Sequence, residues 1–160
     1  MWAVEDSSIA AITEAWTALV RRAMQPGFEE RLSREAGFDV RRGDYAILAH
    51  LEAHGPTSIS GVAEALGLDT STISRAIKDL FRRRMVERRR GDDQRLVVVA
   101  ASPLGAQRLI RLRALRERVI RTILSDWSVE DRRALSDFLL RLSEGFADYL
   151  ADVDRVPAAT

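Results

Sequence analysis

SGVAEALGLDTSTISRAIKDLFRRRMVERRRGDDQRLVVVAA, residues 60–101, decides the fold of this chain. It holds two short helical patterns joined by a tight turn, then a charged corner between two strand-like runs. The first pattern is Gly61 to Leu66, with Ser60 as N-cap and Val62, Ala63 and Leu66 on one face. Gly67 ends it, because glycine takes the left-handed C-cap conformation without steric cost. Leu68 is expected to plug the turn into the core. Asp69 caps the second helix, where a carboxylate accepts backbone N–H bonds at the positive end of the helix dipole.

In that second helix Ile73, Ala76, Ile77, Leu80 and Phe81 form the expected buried stripe. The outward side carries Thr70, Ser71, Thr72, Ser74, Arg75 and Lys78. Small hydroxyl residues allow close approach to a DNA surface, Arg75 can bond guanine bidentately, and Lys78 can meet a phosphate. Alone, such a face would more often be ordinary solvated surface. The segment after the helix changes that weighting. Val86 to Arg90 is a strand, Gly91 to Gln94 a turn, and Arg95 to Val99 a β-branched strand. A helix-turn-helix followed by a hairpin is a winged helix, a device for holding one helix in a major groove. Residues 75–95 carry nine basic and four acidic side chains, +5 in a chain of net +1. Positive charge is thus concentrated where a polyanion would lie.

These residues resemble the MarR family of bacterial winged-helix transcription regulators. The matching pieces are VAEALGLDTSTISRAIKDL, the VERRRGDDQR wing and the SPLG after the second wing strand. No single piece is specific; their order is. The resemblance implies that Thr70 to Lys78 enter the major groove; Arg88 is a further candidate DNA contact. It also implies that Arg95 reaches a minor groove from the wing, positioned by Asp93. Three departures stand out. The family's Asp-Arg-Arg is Asp93-Gln94-Arg95 here, and its Leu-Thr before the next helix is Ala101-Ser102. Ser102 remains an N-cap, with Pro103 at the first helical position. Where the family usually has glycine stands Arg84; a left-handed arginine would cost roughly 1 kcal/mol, so the helix is expected to end differently.

The flanks are helical. Residues 6–24 place Ile9, Ile12, Trp16, Leu19 and Ala23 on one face, and Pro26-Gly27 breaks the pattern. Phe28 to Ala36 and Gly43 to His54 are two further helices, ended by Gly37 and Gly55-Pro56. Thr57 to Ile59 is a small third strand against the wing. Leu104 to Ser125 is a long helix with Leu109, Leu112, Leu115, Val119, Ile120 and Ile123 on one side and six arginines around it. After the Asp126-Trp127 corner, Ser128 and Asp131 begin a last helix carrying Leu135, Phe138, Leu139, Leu142, Phe146 and Leu150. The expected class is mainly α with a small β-wing. The expected layout is 1–37 N-terminal dimerisation helices, 38–101 winged helix, 102–152 C-terminal dimerisation helices and 153–160 a disordered tail. The terminal helices are too apolar for one small winged helix to cover, which favours a homodimer.

The chain has no cysteine, hence no disulfide or thiol chemistry, which suits a reducing, cytoplasmic setting. No apolar run approaches the ~20 residues of a membrane helix, and the N-terminus lacks a secretory signal pattern. His50 and His54 have i, i+4 spacing, but with no further histidine they are too few for a structural metal site. No nucleotide fingerprint or nucleophile elbow appears. No enzyme activity and no cofactor are therefore expected. The expected function is a sequence-specific regulator binding a palindromic operator in double-stranded DNA, a repressor relieved by a small-molecule effector. Trp16, Tyr45 and His50 are the candidate effector-binding residues. The alternative is a winged-helix module that binds protein and not DNA.

Overall fold

A computed structural model describes residues 7–41, 43–90 and 97–153. The elements run α1 (Ser7–Ala23), α2 (Pro26–Ala36), α3 (Asp44–His54), α4 (Ile59–Leu66), α5 (Thr70–Arg82), β1 (Val86–Arg90), β2 (Val97–Ala101), α6 (Pro103–Ile123) and α7 (Val129–Val153). The expected class, mainly α with a small β-wing, is the one found. The chain divides into two compact units, residues 1–116 and 117–160. No helix among the described residues is long and apolar enough to cross a membrane.

The first unit is built around one apolar cluster. Ile47, Leu48 and Leu51 of α3 meet Val62 and Ala63 of α4, Ile73, Ile77 and Leu80 of α5, then Met85, Val86, Val99 and Leu109. Side chains of this size stabilise by about 1.5–3 kcal/mol each when fully buried, so the cluster fixes how α5 is presented. β1 and β2 pair antiparallel from Val86 opposite Ala101 to Arg90 opposite Val97. The third strand shrinks to one bridge, Thr57 to Val99, with both backbone bonds at 2.9 Å. In α1 no residue is buried; Ile9, Ile12, Trp16 and Leu19 are all exposed.

The second unit comprises the end of α6 and all of α7. Ser128 caps α7, accepting the Asp131 N–H at 3.0 Å while its hydroxyl donates to the Asp131 carboxylate at 2.7 Å. Along α7, Phe138, Leu139, Leu142, Phe146 and Leu150 are exposed.

Several local expectations need correction. Ser58, not Ser60, caps α4: its hydroxyl accepts the Gly61 N–H at 3.0 Å, and the helix begins two residues earlier than the sequence suggests. Leu68 is half exposed and does not fill the core, because the turn between α4 and α5 carries it outward. Phe81 is 48% exposed for a different reason. At 100° per residue it lies roughly 80° from the centre of the α5 stripe, beyond the reach of the cluster.

The end of α5 departs furthest from expectation. Arg84 does adopt the left-handed conformation, at φ 58°. Its N–H donates to Phe81 O and the Met85 N–H donates to Leu80 O, both at 2.9 Å, which makes a Schellman cap. Ser102 holds this reversal in place. Its hydroxyl donates to Arg84 O at 2.6 Å, its N–H donates to Met85 O at 3.1 Å, and its oxygen accepts the Gly105 N–H at 3.0 Å. Gly105 is needed for a second reason: a Cβ there would lie 1.9 Å from Met85 O. The strain at Arg84 is therefore offset by bonds made one strand pair later.

Candidate nucleic-acid interface

The site is the outer face of α5 and the strand beside it. Thr70, Ser71, Thr72, Ser74, Arg75 and Lys78 are all exposed, while Ile73, Ile77 and Leu80 on the opposite side anchor the helix. Asp69 organises the first turn. It accepts the Thr72 N–H at 2.8 Å, the Ser71 hydroxyl at 2.6 Å and the Thr72 hydroxyl at 2.5 Å. These bonds, those from Ser71 and Thr72 hydroxyls foremost, hold the Asp69 carboxyl well below the usual carboxylate range. With their protons committed to Asp69, the Ser71 and Thr72 hydroxyls offer lone pairs outward. Arg75 Nη2 approaches the Ser71 hydroxyl at 3.4 Å, which orients the guanidinium along the helix.

Arg88, on β1, lies with its guanidinium 5.6 Å from the centre of the Phe81 ring. The exposed aromatic thus links the end of α5 to the wing, a contact that linear periodicity could not supply. Arg95 and Asp93, the expected wing contacts, lie outside the described residues, as does the 91–94 turn.

The positive charge is less available than the residue count implies. Arg83 is internal, donating to both Asp44 oxygens at 2.7 and 2.8 Å. It also forms an ion pair with Asp79 Oδ2 at 2.7 Å. Asp79 Oδ1 receives Arg41 at 2.8 Å and Arg82 at 2.9 Å. Burial pushes the Asp79 carboxyl up, but the Arg83 and Arg41 charges outweigh it and hold the group below the ordinary range. Arg89 pairs with Glu87 at 2.6 Å. Arg75, Lys78, Arg84, Arg88 and Arg90 make no ion pair among the described residues, and these form the outward cationic set. The Arg83 network was not legible in sequence, since Asp44 lies 39 positions away.

The three residues expected to meet an effector are separated. Tyr45 lines a concave site of about 300 Å³ with Phe28, Leu32, Arg41, Leu112 and Arg116, and the Arg116 guanidinium lies 4.2 Å from its ring centre. Trp16, exposed on α1, does not line that site, and neither does His50. His50 instead stacks on His54 at 4.4 Å, and its Nε2 is buried without a hydrogen-bond partner. Burial, then the His54 charge, lower the His50 pKa.

Comparison with known proteins agrees with this geometry. Residues 38–96 match the MarR family profile. The HTH-type transcriptional regulator YxaD of Bacillus subtilis (strain 168) is 26% identical over 133 residues, covering 82% of this chain and 90% of that protein. YdgJ of the same organism, also an HTH-type transcriptional regulator, is 31% identical over 109 residues, covering 68% of this chain and 66% of its own length. The fold is shared with Streptococcus pneumoniae FabT, solved in complex with DNA, at a TM-score of 0.73 and 18% identity over 88% of this chain and 99% of that one. A profile match across the helix-turn-helix, relatives named as regulators and a common winged-helix architecture lead to one conclusion: this chain belongs to the MarR family of transcription regulators.

Proposed function

We propose that this chain is a homodimeric, sequence-specific double-stranded-DNA-binding repressor whose affinity falls when a small molecule binds. The observation that carries the DNA reading is the outer face of α5. Its hydroxyl and basic side chains project from a helix locked to the core, with Arg88 and Arg90, which make no ion pair among the described residues, on the adjoining strand. A winged-helix module that binds protein would not require that cationic set.

Two copies are favoured by the apolar side chains exposed on α1 and on α7, each too many for a stable lone chain in water. In a dimer, two α5 helices about one DNA turn apart, ~34 Å, would fit successive major grooves of a palindromic site. The concave site beside Tyr45 is where an effector would act.

The test uses duplex DNA selected by the protein from a random pool. Arg75→Ala is expected to relax preference at one or two base positions, costing about 1–3 kcal/mol on the selected site. Lys78→Ala is expected to weaken all sequences alike and to lower the salt slope by about 1. If both variants bind like the parent, α5 is not the reading helix. Sedimentation at micromolar concentration tests the dimer.

A further inference from the structure

We propose that Asp69 sets part of the base preference of the reading helix. It fixes the Ser71 and Thr72 hydroxyls as hydrogen-bond acceptors, so the base that either one meets carries an exocyclic amine: adenine or cytosine. This rests on the DNA reading of α5 and adds a rule for the bases. A hydroxyl has one proton and two lone pairs. The Ser71 proton lies on Asp69 Oδ1 at 2.6 Å and the Thr72 proton on Asp69 Oδ2 at 2.5 Å, the short range of bonds to an ionised oxygen. Asp69 Oδ1 also accepts the Thr72 N–H at 2.8 Å, so the carboxylate cannot turn away without uncapping α5. Arg75 Nη2 donates to the Ser71 oxygen at 3.4 Å, which agrees with a Ser71 proton aimed elsewhere. Both hydroxyl side chains are exposed, and they present lone pairs and no proton to a partner.

In the major groove adenine N6 and cytosine N4 donate, whereas guanine O6 and N7 and thymine O4 accept. Every base pair holds one such amine. A hydroxyl that only accepts therefore does not tell A·T from G·C; it tells which strand carries the amine. Phosphates are poor partners for the same hydroxyls. Their oxygens only accept, and a phosphate placed there would also face the Asp69 charge. Arg75, one turn further along, is the converse: a guanidinium only donates and suits guanine O6 and N7. Ser71 and Arg75 thus set opposite polarities side by side on one helix face, and Asp69 is the residue that makes the difference.

The experiment uses the full chain and the duplex it selects from a random pool. Fluorescence anisotropy measures affinity for duplexes carrying each of the four bases at each half-site position. The parent is expected to favour adenine or cytosine over guanine and thymine by about five-fold or more at a position that Ser71→Ala or Thr72→Val levels to within about two-fold. Asp69→Gly frees both hydroxyl protons while leaving a residue tolerated at an N-cap. It is expected to level that same position to within about two-fold, whereas a weakened cap alone would lower affinity for all sequences alike. Thermal unfolding confirms that Asp69→Gly folds. If it does not, base analogues decide: replacing the favoured base by a purine lacking the N6 amine, or a pyrimidine lacking the N4 amine, is expected to weaken the parent by about five-fold and the levelled hydroxyl variant by under about two-fold. Equal loss in both overturns the proposal. So does a levelled position that holds guanine or thymine in the parent, or a parental preference retained in Asp69→Gly. If Arg75→Ala relaxes a position and neither hydroxyl variant does, the proposal falls and the α5 reading stands. If none of the three changes any position, the α5 reading falls with it.

Discussion

Replacing Gly105 by alanine adds one methyl group where there is no room. The new Cβ would stand 1.9 Å from Met85 O, 2.9 Å from Met85 C and 3.3 Å from Leu48 Cδ2, where ordinary contact begins at 3.4 Å. The obstacle is backbone, so it cannot rotate away; α6 must withdraw by about 1.5 Å to restore contact. That movement strains the three Ser102 bonds to Arg84, Met85 and Gly105, each contributing about 1 kcal/mol. It also opens the packing of Leu48 and Leu109, both fully buried. The combined loss is about 3–5 kcal/mol, the range of severe core disruption. For a chain of this size each kcal/mol lowers the unfolding midpoint by about 2–4 °C, giving a drop of about 6–20 °C. Thermal unfolding followed by far-UV circular dichroism at fixed protein concentration measures it. Gly27→Ala is the control: nothing lies within 4 Å of a Cβ there, and alanine in a helix is favoured by about 0.5–1 kcal/mol. A Gly105→Ala midpoint within about 2 °C of the parent would refute the close approach of α6 to Met85.

Arg84→Gly is expected to stabilise the chain by up to about 1 kcal/mol, since it relieves the left-handed backbone; unchanged or lower urea stability would count against that strain. Asp44→Asn leaves the internal Arg83 without its bidentate partner and is expected to cost about 3 kcal/mol, the lower end of the range for breaking a buried pair because Asp79 remains beside Arg83; a loss under about 0.5 kcal/mol in urea unfolding contradicts it. His50 has a folded pKa below its unfolded value of 6.5, so the unfolded chain binds the extra proton first. Stability from this group is full above that value and declines as pH falls through it towards the folded pKa. His50→Gln is expected to flatten that part of the stability–pH curve, and an unaltered slope would show that His50 is not its source.

The helix-turn-helix and the wing strands were legible because their signals are local. Gly67, Asp69 and the Ile73–Leu80 spacing each act within one or two turns, and Val86 to Arg90 is a strand as expected. What sequence could not show was decided by distant partners. Three consecutive arginines look alike in a string, yet Arg82 pairs with Asp79, Arg83 is enclosed by Asp44 and Asp79, and Arg84 bends left-handed because Ser102 secures its carbonyl. Gly105 sits in the SPLG run, but its need for closeness to Met85 arises only once the hairpin has folded back. At the site, the outward placement of Thr70 to Lys78 comes from helical phase. The binding of Ser71 and Thr72 protons by Asp69 does not, nor does the gathering of Tyr45 and Arg41 at one cavity without Trp16 and His50.

The Ser102 clasp constrains how the chain can change in length. Both ends of the segment from Arg84 to Ser102 are tied together, and the strands between are matched residue by residue from Val86–Ala101 to Arg90–Val97. One residue inserted within either strand would turn every later side chain to the opposite face, taking Val99 out of the core. Length changes within β1 or β2 are therefore incompatible with the register that keeps Val86 and Val99 buried beneath the helix that precedes them.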